Sequence, residues 1–230
     1  ENLAVIVYNG HIILYGDKAM RLPEEFCNRM KELTGDEYDD FIKSYDTQIN
    51  RGIRINTLRC EDVESVAKTL GVFDRVDWCP TGFYAGEELS GRHPYHGAGV
   101  FYFQEPSAQS VAEYLPIGDD SKILDLCAAP GGKTTHIGAR MGNRGLLVAN
   151  EIISKRASIL SENVERMGLT NTIVTNESPT RLAEKFQGYF DGIIVDAPCS
   201  GEGMFRKEPQ AVEEWSVAHT LSCGVRQKNI

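Results

Sequence analysis

From Ser107 onward, short apolar segments alternate with amphipathic segments, and this alternation constrains the fold more than any other feature of the sequence. The segments KILDLC, GLLVANE, NTIVTNE and FDGIIVDAPC are typical of strands, whereas the stretches between them have helical periodicity. In the second helix we expect Ile159, Val164 and Met167 at buried positions. Parallel strands joined by helices form a sheet that is covered on both faces. The sequence therefore predicts an α/β protein with a doubly wound parallel sheet whose strands are buried on both faces.

The chain before this region predicts two further segments. Residues 1–19 contain two apolar runs joined by Asn9-Gly10, which predicts a β-hairpin segment of uncertain origin. Residues 20–105 predict a small α/β N-terminal domain, and residues 106–230 the domain with the parallel sheet.

Within the N-terminal domain, the pattern predicts two short helices between residues 23 and 45, interrupted at Gly35. Residues 51–59, RGIRINTLR, alternate like a strand, and a helix capped by Asp62 follows. Residues 75–105 predict loops and short strands because they are rich in Gly, Pro and aromatic residues.

Composition narrows the class of protein. With 41% hydrophobic residues the 230-residue chain can fill a globular core, and no apolar run or leader pattern predicts a membrane span or secretion, so we expect a cytoplasmic protein. The six cysteines lack CxxC spacing, and we therefore expect neither a metal site nor disulfides. A net charge of −9 argues against a free-standing nucleic-acid binder. A protein with this net charge can still bind RNA through a local basic groove.

A glycine-rich turn, LDLCAAPGGKT, follows the first strand of the sheet. Gly131 and Gly132 allow backbone to approach a ligand at the start of a helix. A nucleoside-triphosphate loop requires glycine five residues before Gly132, where Cys127 stands instead, and the dinucleotide fingerprint is also missing. The turn therefore favours a nucleoside ligand with an amino-acid tail.

Acidic residues end two other strands. Glu151 follows the second strand, where a carboxylate can accept hydrogen bonds from ribose hydroxyls. Asp196 and Cys199 lie in the sequence DAPCSGEG after the fourth strand, and offer a proton-handling group and a nucleophile or base in one tight loop.

Together, LDLCAAPGGKT, Glu151, VDAPCSGEGMFRK, RINTLR and QEPSAQS resemble the NOL1/NOP2/Sun family of RNA (cytosine-5) methyltransferases, most closely its bacterial 16S ribosomal RNA branch. The resemblance implies a class I S-adenosylmethionine-dependent methyltransferase, with a Rossmann-like doubly wound sheet and a small α/β N-terminal domain. It implies methylation of carbon 5 of cytosine in ribosomal RNA, with RNA as partner and no membrane or metal.

The resemblance also implies which residues hold S-adenosylmethionine. The matching positions are Cys127, Ala128, Ala129, Pro130, Gly131, Gly132, Lys133, Glu151, Arg156, Asn176, Ser178 and Asp196. Relatives often carry Asp where this chain has Ser178, so the adenine-side contact is expected at Asn176, Glu177, Ser178 or the backbone.

In this family, the resemblance implies that a thiolate adds to carbon 6 of cytosine and that a carboxyl group contacts ring nitrogen 3. Asp196 matches the ring contact, and Cys199 matches the thiol that assists product release. The attacking Cys belongs to a Thr-Cys motif that lies beyond this chain, so we expect an incomplete sheet and an inactive fragment. Cys223 lies in an amphipathic stretch and is expected to be structural.

Five basic or amide side chains are candidate RNA contacts: Arg54, Asn56, Arg59, Arg206 and Lys207. A solvated charged surface explains each of them equally well. Two other functions stay open, namely a class I methyltransferase acting on an exocyclic amine or a protein, and a non-catalytic RNA-assembly factor.

Overall fold

The computed structural model describes residues 22–47 and 49–230. The hairpin predicted for residues 1–19 lies outside these ranges. The chain forms two compact units. One comprises Asn50–Ala197, and the other comprises the described residues up to Ile49 together with Pro198–Ile230.

Two short helices lie near the start of the described residues, α1 (Glu24–Thr34) and α2 (Tyr38–Lys43). Gly35 follows α1 with a φ of +54°, which is the left-handed region that glycine enters without a steric penalty. The predicted pair of helices and the break at Gly35 are therefore confirmed.

A three-stranded antiparallel sheet opens the Asn50–Ala197 unit. Its elements are β1 (Gly52–Ile55), α3 (Val63–Leu70), β2 (Gly82–Tyr84), α4 (Pro94–Gly97) and β3 (Phe101–Phe103). The strand order is β2-β1-β3, and Ile53 lies opposite both Phe83 and Phe103. Asp62 caps α3 as predicted, because its side chain accepts a hydrogen bond from the Ser65 amide at 3.0 Å.

The rest of this unit is a four-stranded parallel sheet with its helices. The elements are α5 (Pro106–Glu113), β4 (Lys122–Asp125), α6 (Gly132–Met141), β5 (Leu146–Asn150), α7 (Ser154–Met167), β6 (Thr172–Thr175), α8 (Pro179–Lys185) and β7 (Gly192–Ile194). The order is β6-β5-β4-β7, and every pairing is parallel. All four predicted strands are confirmed.

Burial differs between the central and outer strands. Ile123 and Leu124 in β4 point to opposite faces and are both buried, whereas Ile173 in β6 and Ile193 in β7 are each 53% exposed. The prediction that all strands are buried on both faces is therefore wrong for the outer pair, because the described residues leave one face of each of these edge strands partly uncovered.

The α7 helix buries one stripe of side chains. Val164 and Met167 are buried as predicted, but Ile159 is 47% exposed. The buried stripe runs through Ala157 and Leu160 at helical spacing, and Ile159 lies outside it. The prediction for Ile159 is therefore wrong.

The second unit ends with α9 (Pro209–Glu214) and α10 (Val217–Lys228). Its core combines aromatic and aliphatic side chains, namely Leu22, Phe26, Ile42, Tyr45, Phe205 and Trp215. The Phe26 ring packs edge-on against Phe205 and Trp215, at centroid distances of 5.1 and 5.6 Å. Among the described residues, no helix is both long and apolar enough to cross a bilayer.

Candidate functional site

The glycine-rich turn leaves β4 between the ends of the two neighbouring strands. The Leu126 amide donates to the Ile194 carbonyl of β7 at 2.9 Å, and the Ala128 amide donates to the Asn150 carbonyl of β5 at 2.8 Å. The turn that contains Cys127, Ala129 and Pro130 therefore starts at the carboxyl edge of the sheet, where open α/β folds bind ligands.

Gly131 gives the turn its backbone geometry. Its φ is +115°, and a Cβ there would lie 3.2 Å from the Leu160 Cδ1 atom. A larger residue would thus meet both backbone strain and a side chain. Gly132 begins α6 immediately afterwards, so the free amides of the first helical turn face the same edge.

Asp125, the last residue of β4, is a buried carboxylate at this edge. Thr134 donates to its Oδ2 atom at 2.7 Å, while its Oδ1 atom lacks a hydrogen-bond partner among the described residues. Burial raises the pKa of Asp125 to about 6. An unpartnered buried carboxylate oxygen favours a ligand that carries positive charge or a donor.

Glu151 lies just after β5 and is held by two groups. The Ile153 amide donates to Oε1 at 2.9 Å, and the Arg156 guanidinium lies 3.1 Å from Oε2. Arg156 also donates to the Ala129 carbonyl at 2.8 Å, so one side chain connects Glu151 with the glycine turn. Arg156 therefore pairs with an acidic group of the candidate site.

Asn176 and Ser178 follow β6, next to Glu151. The Asn176 side-chain amide donates to the Glu151 carbonyl at 2.6 Å. The Ser178 hydroxyl accepts from the Arg181 amide at 3.3 Å and caps α8. Asn176 thus lies against the predicted ribose-binding residue, whereas the Ser178 hydroxyl is engaged with its own helix.

Asp196 lies just beyond β7, on the other side of β4. Its Oδ2 atom lies 2.6 Å from the Lys133 ammonium, which comes from the first turn of α6. The Asp196 side chain is 58% exposed and that of Lys133 only 18% exposed. A half-buried lysine therefore fixes an accessible carboxylate at the sheet edge.

The two cysteines singled out after β7 differ in exposure. Cys199 is exposed, so its thiol is accessible to a reactant. Cys223 is buried in α10, as expected for a structural residue.

Two of the predicted RNA contacts are wrong, because their side chains are inside the unit. Arg54 is fully buried and donates to Gln104 Oε1 at 3.0 Å and to Thr135 Oγ1 at 2.9 Å. Asn56 is also fully buried and donates to the carbonyls of Gly99 and Met167. Both side chains join the strand β1 region to the parallel-sheet region of the same unit.

The other three candidates are accessible to different degrees. Arg59 and Lys207 are exposed. Arg206 is half-buried, and its guanidinium donates to the Ser44 carbonyl at 3.1 Å and lies 3.2 Å from Thr47 Oγ1. Arg59, Arg206 and Lys207 therefore stay predictions as RNA contacts.

Sequence reasoning missed three residues of the site. Asp125, Thr134 and Asn150 lie inside or beside quoted motifs, but they carry no pattern of their own. Asn150 donates to the carbonyls of Leu126 and Glu177, and its Oδ1 accepts from Thr175 and from the Glu177 amide. The available signal was position, since Asp125 and Asn150 are the last residues of β4 and β5.

Two family descriptions match the chain. Residues 112–230, just over half of the chain, match the model for the 16S rRNA methyltransferase RsmB/F family. Residues 22–106 match the N-terminal domain of the 16S rRNA methyltransferase RsmF.

Curated relatives have the same family name. The ribosomal RNA small subunit methyltransferase F of Enterobacter sp. (strain 638) is 36% identical over 221 residues, which is 90% of this chain and 46% of that protein. The protein of the same name from Shewanella sp. (strain MR-4) is 39% identical over 198 residues, covering 83% and 41%. The chain spans about half the length of the curated relatives it matches.

Solved structures share the fold. A methyltransferase homologue from Pyrococcus horikoshii has a TM-score of 0.72 and 27% identity, covering 90% of this chain and 70% of that one. NSun6 from the same organism, solved with the ligand SFG, has a TM-score of 0.78 at 20% identity, covering 91% and 78%, and shows likeness of fold alone.

The parallel sheet, the glycine turn at its carboxyl edge and these matches establish the predicted class I methyltransferase fold. The match over residues 112–230 extends across the sheet, the turn and the Asp196–Cys199 loop. The chain belongs to the RsmB/F family of 16S ribosomal RNA methyltransferases.

Proposed function

We propose that the protein uses S-adenosylmethionine to methylate carbon 5 of a cytosine in ribosomal RNA. The observation that carries the proposal is the convergence of Asp125, Glu151 and Asp196, which lie at or just beyond the carboxyl ends of three adjacent parallel strands. The glycine turn starts between them. The family membership and the names of the curated relatives support ribosomal RNA as the substrate.

The residues at this edge fit S-adenosylmethionine. The unpartnered Asp125 Oδ1 atom can accept a hydrogen bond from the ammonium of its amino-acid part. Each Glu151 oxygen has one protein partner and a second lone pair that can accept from a ribose hydroxyl. The first amides of α6, from Gly132, can bind the carboxylate of the amino-acid part. When bound, this molecule supplies the methyl group.

Most of the turn would act through its backbone. We assign cofactor contacts to Cys127, Ala128, Ala129, Pro130, Gly131, Gly132 and Lys133, as the family resemblance implies. Arg156 would keep the turn and Glu151 at a fixed separation, because it contacts both. Asn176 would support the adenine side, since its side chain already holds the Glu151 carbonyl.

The chemistry on the cytosine ring would fall to the Asp196–Cys199 loop. The Asp196 carboxyl group, held by Lys133, would contact ring nitrogen 3 and stabilise the charge that develops there. The exposed Cys199 thiol would assist removal of the carbon 5 proton and release of the methylated base. The first attack on carbon 6 is assigned to the Cys of the Thr-Cys motif expected from the family resemblance.

The test uses the whole protein with 16S ribosomal RNA and a labelled methyl donor. We expect label in the RNA, and bisulfite sequencing should show one cytosine that resists conversion. Label on another atom would assign the protein to a different class of RNA methyltransferase. No label at all, with cofactor binding retained, would favour an assembly factor.

A further inference from the structure

Three potential metal ligands converge away from the methyl-transfer site. Cys79 lies in the loop before β2, Glu113 ends α5, and His136 lies in α6. Their ligand atoms all lie within 4.8 Å of one another. The Cys79 Sγ atom is 3.8 Å from His136 Nε2, and Glu113 Oε1 is 2.9 Å from the same nitrogen. We refer to these three residues as the Cys79 cluster.

The geometry excludes a nucleophile-base-orienter triad. In such a triad the nucleophile and the carboxylate contact opposite nitrogens of the imidazole ring. Here both contact Nε2, and the buried Nδ1 atom has no partner among the described residues. The three atoms instead surround one point, as ligands of a single ion do.

We propose that the Cys79 cluster binds a zinc ion through Cys79 Sγ, Glu113 carboxylate oxygen and His136 Nε2. Zinc takes sulfur, nitrogen and oxygen ligands in tetrahedral geometry at about 2.0–2.3 Å, which places neighbouring ligand atoms roughly 3.3–3.6 Å apart. The two measured separations, 2.9 and 3.8 Å, lie on either side of this range. The third pair, Cys79 Sγ and a Glu113 carboxylate oxygen, lies within 4.8 Å, so binding requires side-chain movements of up to about 1 Å. Solvent would supply the fourth ligand.

The proton balance of binding can be written from the contacts. The thiol of Cys79 loses its proton to solvent and binds as the thiolate. The imidazole proton shared with Glu113 moves from Nε2 to Nδ1, which has no hydrogen-bond partner in the described part of the chain. The ion and the thiolate together add one positive charge. Two cations oppose this added charge: Arg140, whose Nε lies 3.4 Å from Glu113 Oε2, and the fully buried Arg54, which donates to Thr135 next to His136. Binding is therefore weaker than at an all-thiolate structural site.

An ion can reach the cluster from one side. Cys79 is fully buried and the His136 side chain is only 2% exposed, whereas the Glu113 side chain is 20% exposed. The carboxylate would thus be the first ligand that an incoming ion meets. Once bound, the ion would connect the β2 region with α5 and α6, and would stabilise the folded Asn50–Ala197 unit.

The test measures zinc on the intact chain. After dialysis against micromolar zinc, we expect one equivalent per chain by elemental analysis, and competition with a chromophoric chelator gives the affinity. Substitution by Co²⁺ should produce a thiolate-to-cobalt charge-transfer band. Cys79→Ser should abolish this band. Glu113→Gln should weaken zinc binding at least about tenfold, because even the loss of a residue that only supports a metal ligand costs roughly that much affinity.

The chain offers a matched control in the other compact unit. The Cys223 Sγ atom lies 3.6 Å from His219 Nε2 in α10, which gives the same two ligand types, but among the described residues no carboxylate completes a three-ligand cluster with them. Cys223→Ser should leave zinc stoichiometry and the cobalt band unchanged. If Cys79→Ser does not fold, the cobalt spectrum of the wild type and the Glu113→Gln affinity still decide. A wild type without bound zinc or a thiolate band, or Glu113→Gln with unchanged affinity, would overturn the proposal.

Discussion

The Lys133 ammonium lies 2.6 Å from Asp196 Oδ2 and joins the first turn of α6 to the end of β7. The pair is partly exposed, so it contributes little to folding, at most about 1 kcal/mol. Its larger effect is positional, because Asp196 is the carboxylate that we assign to the cytosine ring.

In a chain that also carries the Thr-Cys motif expected from the family, we expect Lys133→Gln to lower the rate of methyl transfer far more than it lowers stability. Urea unfolding should show a loss below about 1 kcal/mol, while methyl incorporation should fall at least about tenfold. Lys185→Gln, at the end of α8, is the matched control and should affect neither measurement. Methyl incorporation by the folded Lys133 variant that stays within about threefold of the wild type would contradict a positional role.

Glu151→Ala should weaken the binding of S-adenosylmethionine about tenfold or more, because hydrogen bonds to a charged acceptor contribute about 1.5–3 kcal/mol. Isothermal titration calorimetry measures this directly. Glu162→Ala, on the exposed part of α7, is the control. A change under about threefold in the Glu151 variant would remove the ribose assignment.

Strand ends and motifs could be predicted from the sequence, whereas burial and long-range convergence could not. Asp196 and Glu151 were found because each follows an apolar strand, and parallel strands place their ends at one edge. Arg54 looked like an RNA contact because a sequence shows its charge but not its enclosure by Gln104 and Thr135. The expectation of no metal site rests on local cysteine spacing, and that spacing carries no information about side chains such as Cys79 and His136, which come within 3.8 Å of each other only in the fold.

The stability of the protein should depend on Asp125 between pH 4 and pH 6. Burial raises the pKa of Asp125 from 3.8 to about 6, so in this window the folded state holds a proton that the unfolded state has lost. The contribution of Asp125 to the free energy of unfolding therefore falls by up to about 3 kcal/mol as pH rises from 4 to 6. Above pH 6 it does not recover.

Asp125→Asn removes this titration. Urea unfolding of both proteins at pH 4 and pH 7 should show that the variant gains stability relative to the wild type as pH rises. Exposed Asp120→Asn is the control. A difference between Asp125→Asn and wild type that does not change with pH would contradict the assignment of the raised pKa.

Arg54→Met should destabilise the protein without a specific effect on RNA binding. The substitution leaves the Gln104 and Thr135 side-chain oxygens without their buried donor, which costs about 1–3 kcal/mol for each such group. Exposed Arg59→Met should cost less than about 0.5 kcal/mol. Chemical unfolding measures both losses, and filter binding compares RNA affinity of the folded proteins. Reduced RNA affinity with unchanged stability in Arg54→Met would return Arg54 to the RNA-contact group.

The last prediction separates three roles for Cys199, and it applies to a chain that also carries the Thr-Cys motif expected from the family. If the exposed Cys199 thiol assists product release, Cys199→Ala still permits attack by the other thiol and methyl transfer, but blocks elimination. Protein should then stay covalently bound to cytosine-containing RNA on denaturing gels. Cys60→Ala, at a half-buried thiol whose sulfur contacts the Asn56 carbonyl, is the control and should release its product normally. If Cys199 makes the first attack, the substitution abolishes both adduct and methyl transfer. Turnover at the normal rate in Cys199→Ala would exclude any chemical role for this thiol.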